Sequence, residues 1–218
     1  NKEKVYTVDV NTTTGEFTAS GLPYWTVFDV KMSGYQWTAG GVLTTADNEV
    51  SFSVGDIALN GLRNLRFTAS LVEMPDTLDQ ELRSAGFKKG APRNNLATDI
   101  LDLANRFAAV MRLNKVEIRL EHVTTNACKK FHGDYVTARL ICTYVGPGTQ
   151  WLDGADAEDC GCGEPHNIQQ MNAGDVGLFK GRIWSETHPA IHRSPPIEGT
   201  GEGRMMLVIN PPHQNKTS

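Results

Sequence analysis

The sequence has no long hydrophobic run, no excess of positive charge and few cysteines. No stretch of about 18 consecutive apolar residues occurs, so we expect no membrane-spanning helix. The 218 residues include 21 Lys and Arg against 25 Asp and Glu, which gives a net charge of −4. Because proteins that bind nucleic acid usually carry a basic excess, nucleic acid is disfavoured as the main partner.

Only four cysteines are present, at positions 128, 142, 160 and 162. This number and clustering do not resemble a secreted disulfide framework, so we expect a cytoplasmic protein with free thiols. The segment Asn1 to Lys4 is not typical of a secretory leader. Since the chain begins without Met, we expect it to be a fragment or a processed form.

The remaining composition is that of a globular protein, with 39% hydrophobic and 21% charged residues. Residues 1–75 contain short β-branched and aromatic runs between Gly, Asn and Asp, which predicts a β-rich N-terminal region. That region is either a separate module or part of the walls of the second domain. The second domain, residues 76–218, is predicted to begin with a helix pair and to continue as strands.

The helical part covers residues 76–113. Asp76 is predicted to cap a first helix that ends at Gly86, and Asn94 or Asn95 to cap a longer one. The second helix has apolar residues spaced by four, three, four and three positions, a stripe that must cover an apolar sheet face. The stripe consists of Leu96, Ile100, Leu103, Phe107, Val110 and Met111.

The motif that most strongly indicates a functional site is Phe131-His132-Gly133-Asp134. In a strand, residues two apart point to the same side, so His132 and Asp134 could reach one cation. His192, 58 residues after Asp134, is the best candidate for the third ligand, and His188 is the second candidate. Two histidines and one carboxylate form the facial triad that suits Fe(II) and leaves coordination positions open.

The surrounding motifs appear in a fixed order. Tyr144 precedes the turn Gly146-Pro147-Gly148-Thr149, Gly174-Asp175 opens a strand that ends at Phe179, and Arg204 lies twelve residues after His192. In this order and spacing, residues 131–209 resemble the Fe(II)/2-oxoglutarate-dependent oxygenase superfamily. Residues 95–212 also resemble an uncharacterised bacterial family associated with zinc-responsive gene neighbourhoods, whereas residues 1–75 do not match it.

The resemblance implies a mainly β fold: a double-stranded β-helix, or jelly roll, with covering helices. It implies that His132, Asp134 and His192 hold Fe(II) and that Arg204 binds the far carboxylate of 2-oxoglutarate, with Ser194 or Thr143 adding a hydroxyl. The implied activity is that of a dioxygenase that hydroxylates an unknown substrate. Arg139 is the alternative to Arg204, but its odd spacing from Asp134 predicts that it faces the opposite side of the strand unless a β-bulge intervenes.

A second candidate site is the cysteine-rich loop Asp159-Cys160-Gly161-Cys162-Gly163-Glu164-Pro165-His166. Cys160, Cys162 and His166 offer three zinc ligands, and a fourth would have to come from Cys128, Asp156 or Asp159. The alternative is a loop with two reactive thiols. Zinc here, or at the histidine site, would favour a non-catalytic metal-binding or zinc-responsive jelly-roll protein over an enzyme.

Overall fold

The computed structural model describes residues 61–153, 157, 165 and 167–212, together with the strand backbone at 7–8, 29–30, 35–38 and 42–45. These residues form a mainly β protein with two helices. The strands are β1 (Thr7–Val8), β2 (Asp29–Val30), β3 (Tyr35–Thr38), β4 (Val42–Thr45), β5 (Leu65–Ser70), β6 (Lys115–Val123), β7 (Ala138–Val145), β8 (Gln150–Leu152), β9 (Ile168–Gln170), β10 (Val176–Lys180), β11 (His192–Arg193) and β12 (Arg204–Asn210).

Two of the sheets build the jelly roll. The larger sheet has the strand order β3-β4-β10-β7-β12-β6-β5, and the smaller one has the order β11-β8-β9. Apart from β1 and β2, which form a parallel pair, the pairings are antiparallel. From β7 onward the chain repeatedly passes from one sheet to the other and back, which winds the strands into the double-stranded β-helix that the resemblance implied.

Strands from the N-terminal region extend the larger sheet at both of its edges. β4 pairs with β10, in a register that sets Leu43 opposite Val176. β5 pairs with β6 along its whole length, from Leu65 opposite Leu120 to Ser70 opposite Lys115. The strands described at 42–45 and 65–70 therefore belong to the same sheet as those of the C-terminal part.

The helices are α1 (Met74–Ser84) and α2 (Ala91–Met111). Both begin about one turn earlier than the sequence predicted, because a proline in the first turn of each helix starts it without a side-chain cap. The end of α1 before Gly86 is as predicted, and Gly86 has a positive φ of 98° that favours glycine.

The main hydrophobic core lies between the helices and one face of the larger sheet. The predicted stripe of α2 contributes Leu96, Ile100, Leu103 and Phe107, all fully buried or nearly so. A second, smaller cluster lies on the opposite face of the sheet, inside the jelly roll, and consists of Ile141, Met171, Phe179, Met206 and Val208. The larger sheet therefore has an outer face under the helices and an inner face toward the interior of the roll.

Candidate metal centre

Three side chains from two distant segments meet at one end of the roll. The possible ligand atoms of His132, Asp134 and His192 all lie within 4.8 Å of one another. Nε2 of His192 is 3.2 Å from Oδ2 of Asp134, and Nε2 of His132 is 3.5 Å from Oδ1. The sequence prediction that these three residues converge therefore agrees with the geometry.

Backbone pairing brings the two histidines together. His132 and His192 form an isolated antiparallel bridge, in which each backbone N–H donates to the other carbonyl at 3.0 Å. His132 is therefore in a single bridge and not in the longer strand that the sequence analysis assumed. Asp134 reaches the site from the loop that follows, and Gly133 allows this because a Cβ there would lie 2.7 Å from Pro189.

Both imidazole rings are fixed in the same way. Nδ1 of His132 lies 2.8 Å from the carbonyl oxygen of Lys130, and Nδ1 of His192 lies 3.0 Å from that of Ala190. Because a carbonyl oxygen only accepts, each Nδ1 donates and each Nε2 faces the centre. Backbone partners of this kind orient the histidine ligands of protein metal sites. The His192 ring also packs against Phe179, with ring centroids 4.5 Å apart.

The site has strong electrostatic interactions. Burial alone would raise the pKa of Asp134, but contacts with His132 and His192 and the charge of Arg139 outweigh it and hold the pKa well below its usual range. The contact with Asp134 in turn raises the pKa of His132, against the effect of burial. In the absence of another cation, the carboxylate therefore stabilises positive charge on the neighbouring ring.

Arg139 lies beside Asp134, and not on the opposite side as its spacing would predict in an unbroken strand. Its Nη1 lies 2.8 Å from Oδ2 of Asp134. Residues 132–139 do not form one strand, because the chain leaves regular structure after His132 and re-enters it at Ala138. A bend of this kind leaves no clear periodic signal in the sequence, so spacing alone does not identify Arg139 as the neighbour of the carboxylate.

Arg204 is completely buried at the start of β12. Its Nε donates to the carbonyl of Pro147 at 2.6 Å, and its Nη2 donates to the hydroxyls of Thr143 at 3.2 Å and Thr149 at 3.4 Å. Its Nη1 is buried and has no hydrogen-bond partner among the described residues. Burial lowers the pKa of Arg204 to about 10, which still leaves the guanidinium charged at neutral pH.

The two predicted hydroxyl residues differ in position. Thr143 is buried and bonded to Arg204, next to the guanidinium as the sequence analysis suggested. Ser194 is two residues beyond His192, and its backbone N–H donates to the carbonyl of Cys128 at 3.0 Å. Among the described residues, no hydrogen bond joins the Ser194 hydroxyl to Arg204.

The other candidates lie elsewhere. His188 bonds to the hydroxyl of its neighbour Thr187 at 2.7 Å and does not belong to the cluster of three ligands. The proposed zinc ligands Cys160, Cys162 and His166 lie outside the described residues. In the part of the chain that the structure describes, no helix is long and apolar enough to cross a membrane.

Sequence reasoning missed two polar residues on the inner face, Glu117 and Asn210. Both are buried, and Nδ2 of Asn210 donates to Oε1 of Glu117 at 3.0 Å. Asn210 also accepts a hydrogen bond of 2.8 Å from Nε of Arg139. The signal that could have identified Glu117 is the alternation of apolar and charged residues along β6, which places it on the face opposite to Val116 and Ile118.

The comparisons with known proteins give one family and distant structural likenesses. The family described as "Protein of unknown function (DUF1826)" matches residues 42–210. The match agrees with the expected resemblance to an uncharacterised family, but it begins well before residue 95 and includes part of the region expected not to match. A comparison with curated proteins returned no match.

Among solved structures, the chain is similar to oxalate decarboxylase of Bacillus subtilis, with 19% identity over 46% of this chain and 22% of that one, at a TM-score of 0.31. It is also similar to hydroxypropylphosphonic acid epoxidase from S. wedmorenis, with 12% identity over 44% of this chain and 42% of that one, at a TM-score of 0.29. The chain therefore spans less than half the length of either protein. The assignment of the jelly roll rests on the strand order described above.

Proposed function

Because the chain belongs to the DUF1826 family, whose description names no activity, its own site has to supply the function; we propose that the protein is an Fe(II)- and 2-oxoglutarate-dependent oxygenase. His132, Asp134 and His192 would hold the iron, and Arg204 with Thr143 would bind the carboxylate of 2-oxoglutarate. The substrate would be a second molecule that enters the same end of the roll.

The orientation of the two histidines carries the proposal. With each Nδ1 donating to a carbonyl, a neutral imidazole presents the lone pair of Nε2 to the carboxylate of Asp134. Lone pairs and a carboxylate repel one another, so this arrangement requires a cation between them, which is either a proton or a metal ion. Two imidazole nitrogens and one carboxylate suit a divalent transition metal and match the Fe(II) facial triad.

The donor set therefore fits iron. Bound there, Fe(II) would supply the activation of oxygen that couples decarboxylation of 2-oxoglutarate to hydroxylation of a C–H bond. The roles of the chain are to fix three ligands on one side and to leave the remaining positions open. His192, whose side chain is only 4% exposed, and the adjacent Phe179 limit the access of water to that side.

Arg204 supports the choice of cosubstrate. It shares the inner face of the sheet with Thr143, and its Nη1 has no partner among the described residues. A buried guanidinium without an anion is costly, and a carboxylate is its best partner because the planar fork can donate two hydrogen bonds to it. The side chains of Ile141, Phe179 and Met206, in the cluster between the two sheets, suit the methylene groups of a short dicarboxylate.

The second candidate function is a non-catalytic metal-binding jelly roll, with iron or zinc at the same three residues. One observation favours it: the carbonyl of Pro147 and the hydroxyls of Thr143 and Thr149 already bond to Arg204. In that case Arg204 would fix the turn at 146–149 instead of binding a cosubstrate. Zinc at Cys160, Cys162 and His166 would belong to this candidate.

Titration of 2-oxoglutarate into the iron-loaded protein without oxygen, followed by succinate measurement under air, tests the proposal. We expect wild type to bind and to form succinate slowly even without substrate. Arg204→Met should retain iron but lose about 100-fold in 2-oxoglutarate affinity, since hydrogen bonds to charged groups contribute about 1.5–3 kcal/mol each. Arg106→Gln, which removes an ion pair with Asp102 on α2, is the matched control.

The outcomes separate the two candidates. Wild type that binds iron but not 2-oxoglutarate would reject the oxygenase and favour the non-catalytic protein. Binding of 2-oxoglutarate that survives in Arg204→Met would remove Arg204 from the proposal. If His132→Ala binds iron as tightly as wild type, the metal site itself is wrong.

A further inference from the structure

A continuous line of polar side chains crosses the inner face of the larger sheet and ends at the metal centre. Oδ2 of Asp134 lies 2.8 Å from Nη1 of Arg139, and Nε of Arg139 donates to Oδ1 of Asn210 at 2.8 Å. Nδ2 of Asn210 donates to Oε1 of Glu117 at 3.0 Å, and Oε2 of Glu117 accepts from Nη2 of Arg66 at 2.9 Å. The line therefore joins the candidate ligand to the edge strand β5.

Neighbouring strands supply the members of this line. Arg139 is on β7, Asn210 on β12, Glu117 on β6 and Arg66 on β5, which are adjacent in the sheet. The register sets Asn210 directly opposite Glu117. Glu117 is 2% exposed and Asn210 is 5% exposed, so the central members are shielded from water. Charged groups are rarely buried unless their partners are fixed, and here each partner is a side chain of the next strand.

The contact between Arg139 and Asp134 is an ion pair, and the three hydrogen bonds that continue the line to Arg66 each have a fixed direction. An arginine only donates and an ionised carboxylate only accepts, so Asn210 must present its oxygen to Arg139 and its amide nitrogen to Glu117. Arg139 is thereby held from behind by Asn210 while its Nη1 faces Asp134. The guanidinium is held from one side and is therefore placed to position the carboxylate on the other.

We propose that Arg139 is a positioning residue that fixes the Asp134 carboxylate in the orientation in which it faces the two imidazoles. The inference rests on the metal site of the proposed function and is independent of 2-oxoglutarate. Asn210 and Glu117 act through Arg139 by fixing its guanidinium.

A purely structural role for Arg139, as the counter-charge of a half-buried acid, gives a different expectation. Such a role affects the stability of the apo protein but not how the carboxylate binds a metal. Lysine would then replace arginine well, because it keeps the charge. Under the positioning role lysine is only a partial substitute, since its single ammonium lacks the rigid fork that contacts Asp134 and Asn210 together.

The test is a titration of the metal-free full chain with Co(II), followed by the visible d–d spectrum of the bound ion and by metal analysis. The spectrum reports the coordination number, which activity does not. We expect Arg139→Gln to weaken Co(II) binding about 10- to 100-fold, the usual effect of losing an outer partner of a ligand, and to change the spectrum. Arg139→Lys should recover part of the affinity, and Asn210→Leu should change both readouts in the same direction as Arg139→Gln.

Arg106→Gln is the matched control, because it breaks an Arg–Asp ion pair of 2.7 Å on α2. Unfolding of each apo protein in urea shows which variants fold, and if Arg139→Gln does not, Arg139→Lys and Asn210→Leu decide the result. Affinities within about twofold of wild type with unchanged spectra, or tighter binding, would overturn the positioning role. Wild type that binds no Co(II), or a His132→Ala variant that binds it as well as wild type does, would overturn the metal site and this inference together.

Discussion

The two faces of the larger sheet are built from alternate residues of the same strands, yet they differ in chemistry. The outer face packs against the helices and is almost entirely apolar. The inner face carries charged and polar groups in the interior of the roll, beside the apolar cluster that includes Ile141, Met206 and Val208. The outer set includes Val116, Ile118, Leu120, Leu140, Cys142, Val176, Leu207 and Ile209, and the inner set includes Glu117, Arg119, Arg139, Thr143, Arg204 and Asn210.

This contrast separates stability from chemistry. Burial of the outer face removes a large apolar area from water, which is the main favourable term in folding. The inner face lowers that stability, because burying charged groups costs free energy unless they have partners. Two acids illustrate the difference: burial raises the pKa of Asp99 on the helix side, whereas contacts with two histidines and Arg139 overcome burial and lower the pKa of Asp134.

The largest expected effect of a change on the outer face is on folding. Leu207 is fully buried between β12 and the helices, so Leu207→Ala leaves a cavity. We expect a loss of about 2–5 kcal/mol in the free energy of unfolding, measured in urea. The Co(II) affinity of the folded fraction should stay within about twofold of wild type, because the methyl groups removed face away from the metal centre.

Val72→Ala is the control for this change, since Val72 is 91% exposed. Its free energy of unfolding should change by no more than about 0.5 kcal/mol. If Leu207→Ala weakens metal binding as much as it weakens folding, the two faces are coupled and the separation described above does not hold.

A smaller effect is expected from Tyr144→Phe. The Tyr144 hydroxyl donates to Oδ2 of Asp99 on α2 at 2.5 Å and joins the sheet to the helix within the outer core. Removing it leaves a half-buried carboxylate without this donor, at a cost of about 1–3 kcal/mol in the free energy of unfolding. Thermal unfolding of the two apo proteins measures this loss of stability as a lower midpoint for Tyr144→Phe. An unchanged midpoint would mean that water replaces the hydroxyl.

The outer face was largely predictable from the sequence, because its signals are periodic. The spacing of Leu96, Ile100, Leu103 and Phe107 identifies the buried stripe of α2 without knowledge of the fold. The strand runs in β6, β7, β10 and β12 were likewise recognisable. Helix starts were misplaced because proline in the first turn, and not the Asp or Asn expected to cap, marks where each helix begins.

The inner site was predictable only in part. No periodicity connects His132 to His192, 60 positions later, and their pairing was expected from motif order and not from spacing. Arg139 was misjudged because a bend after Asp134 breaks the alternation on which the argument depended. The contact between Asn210 and Glu117 depends on strand register, which a single sequence does not determine.

The smallest expected effect is a pH dependence from Asp99. Burial is the largest cause of its raised pKa, the Tyr144 hydroxyl and Arg106 oppose it, and Asp102 adds to it. The folded protein therefore binds this proton more tightly than the unfolded chain, whose Asp has a pKa of about 3.9. The contribution of Asp99 to stability is present below that pKa and is lost as the pH rises through the raised pKa of the folded state.

Asp99→Asn should remove the contribution of Asp99 to the pH dependence of the free energy of unfolding. Asp134 has the opposite shift, and its contribution is lost as the pH falls, so only the difference between the two proteins isolates Asp99. The free energy of unfolding is measured in urea from pH 4 to 8 with a chelator. We expect its value for Asp99→Asn to increase relative to that of wild type as the pH rises. A constant difference would mean that Asp99 has the same pKa in both states, and the acid on the helix side would then no longer contrast with the one at the metal centre.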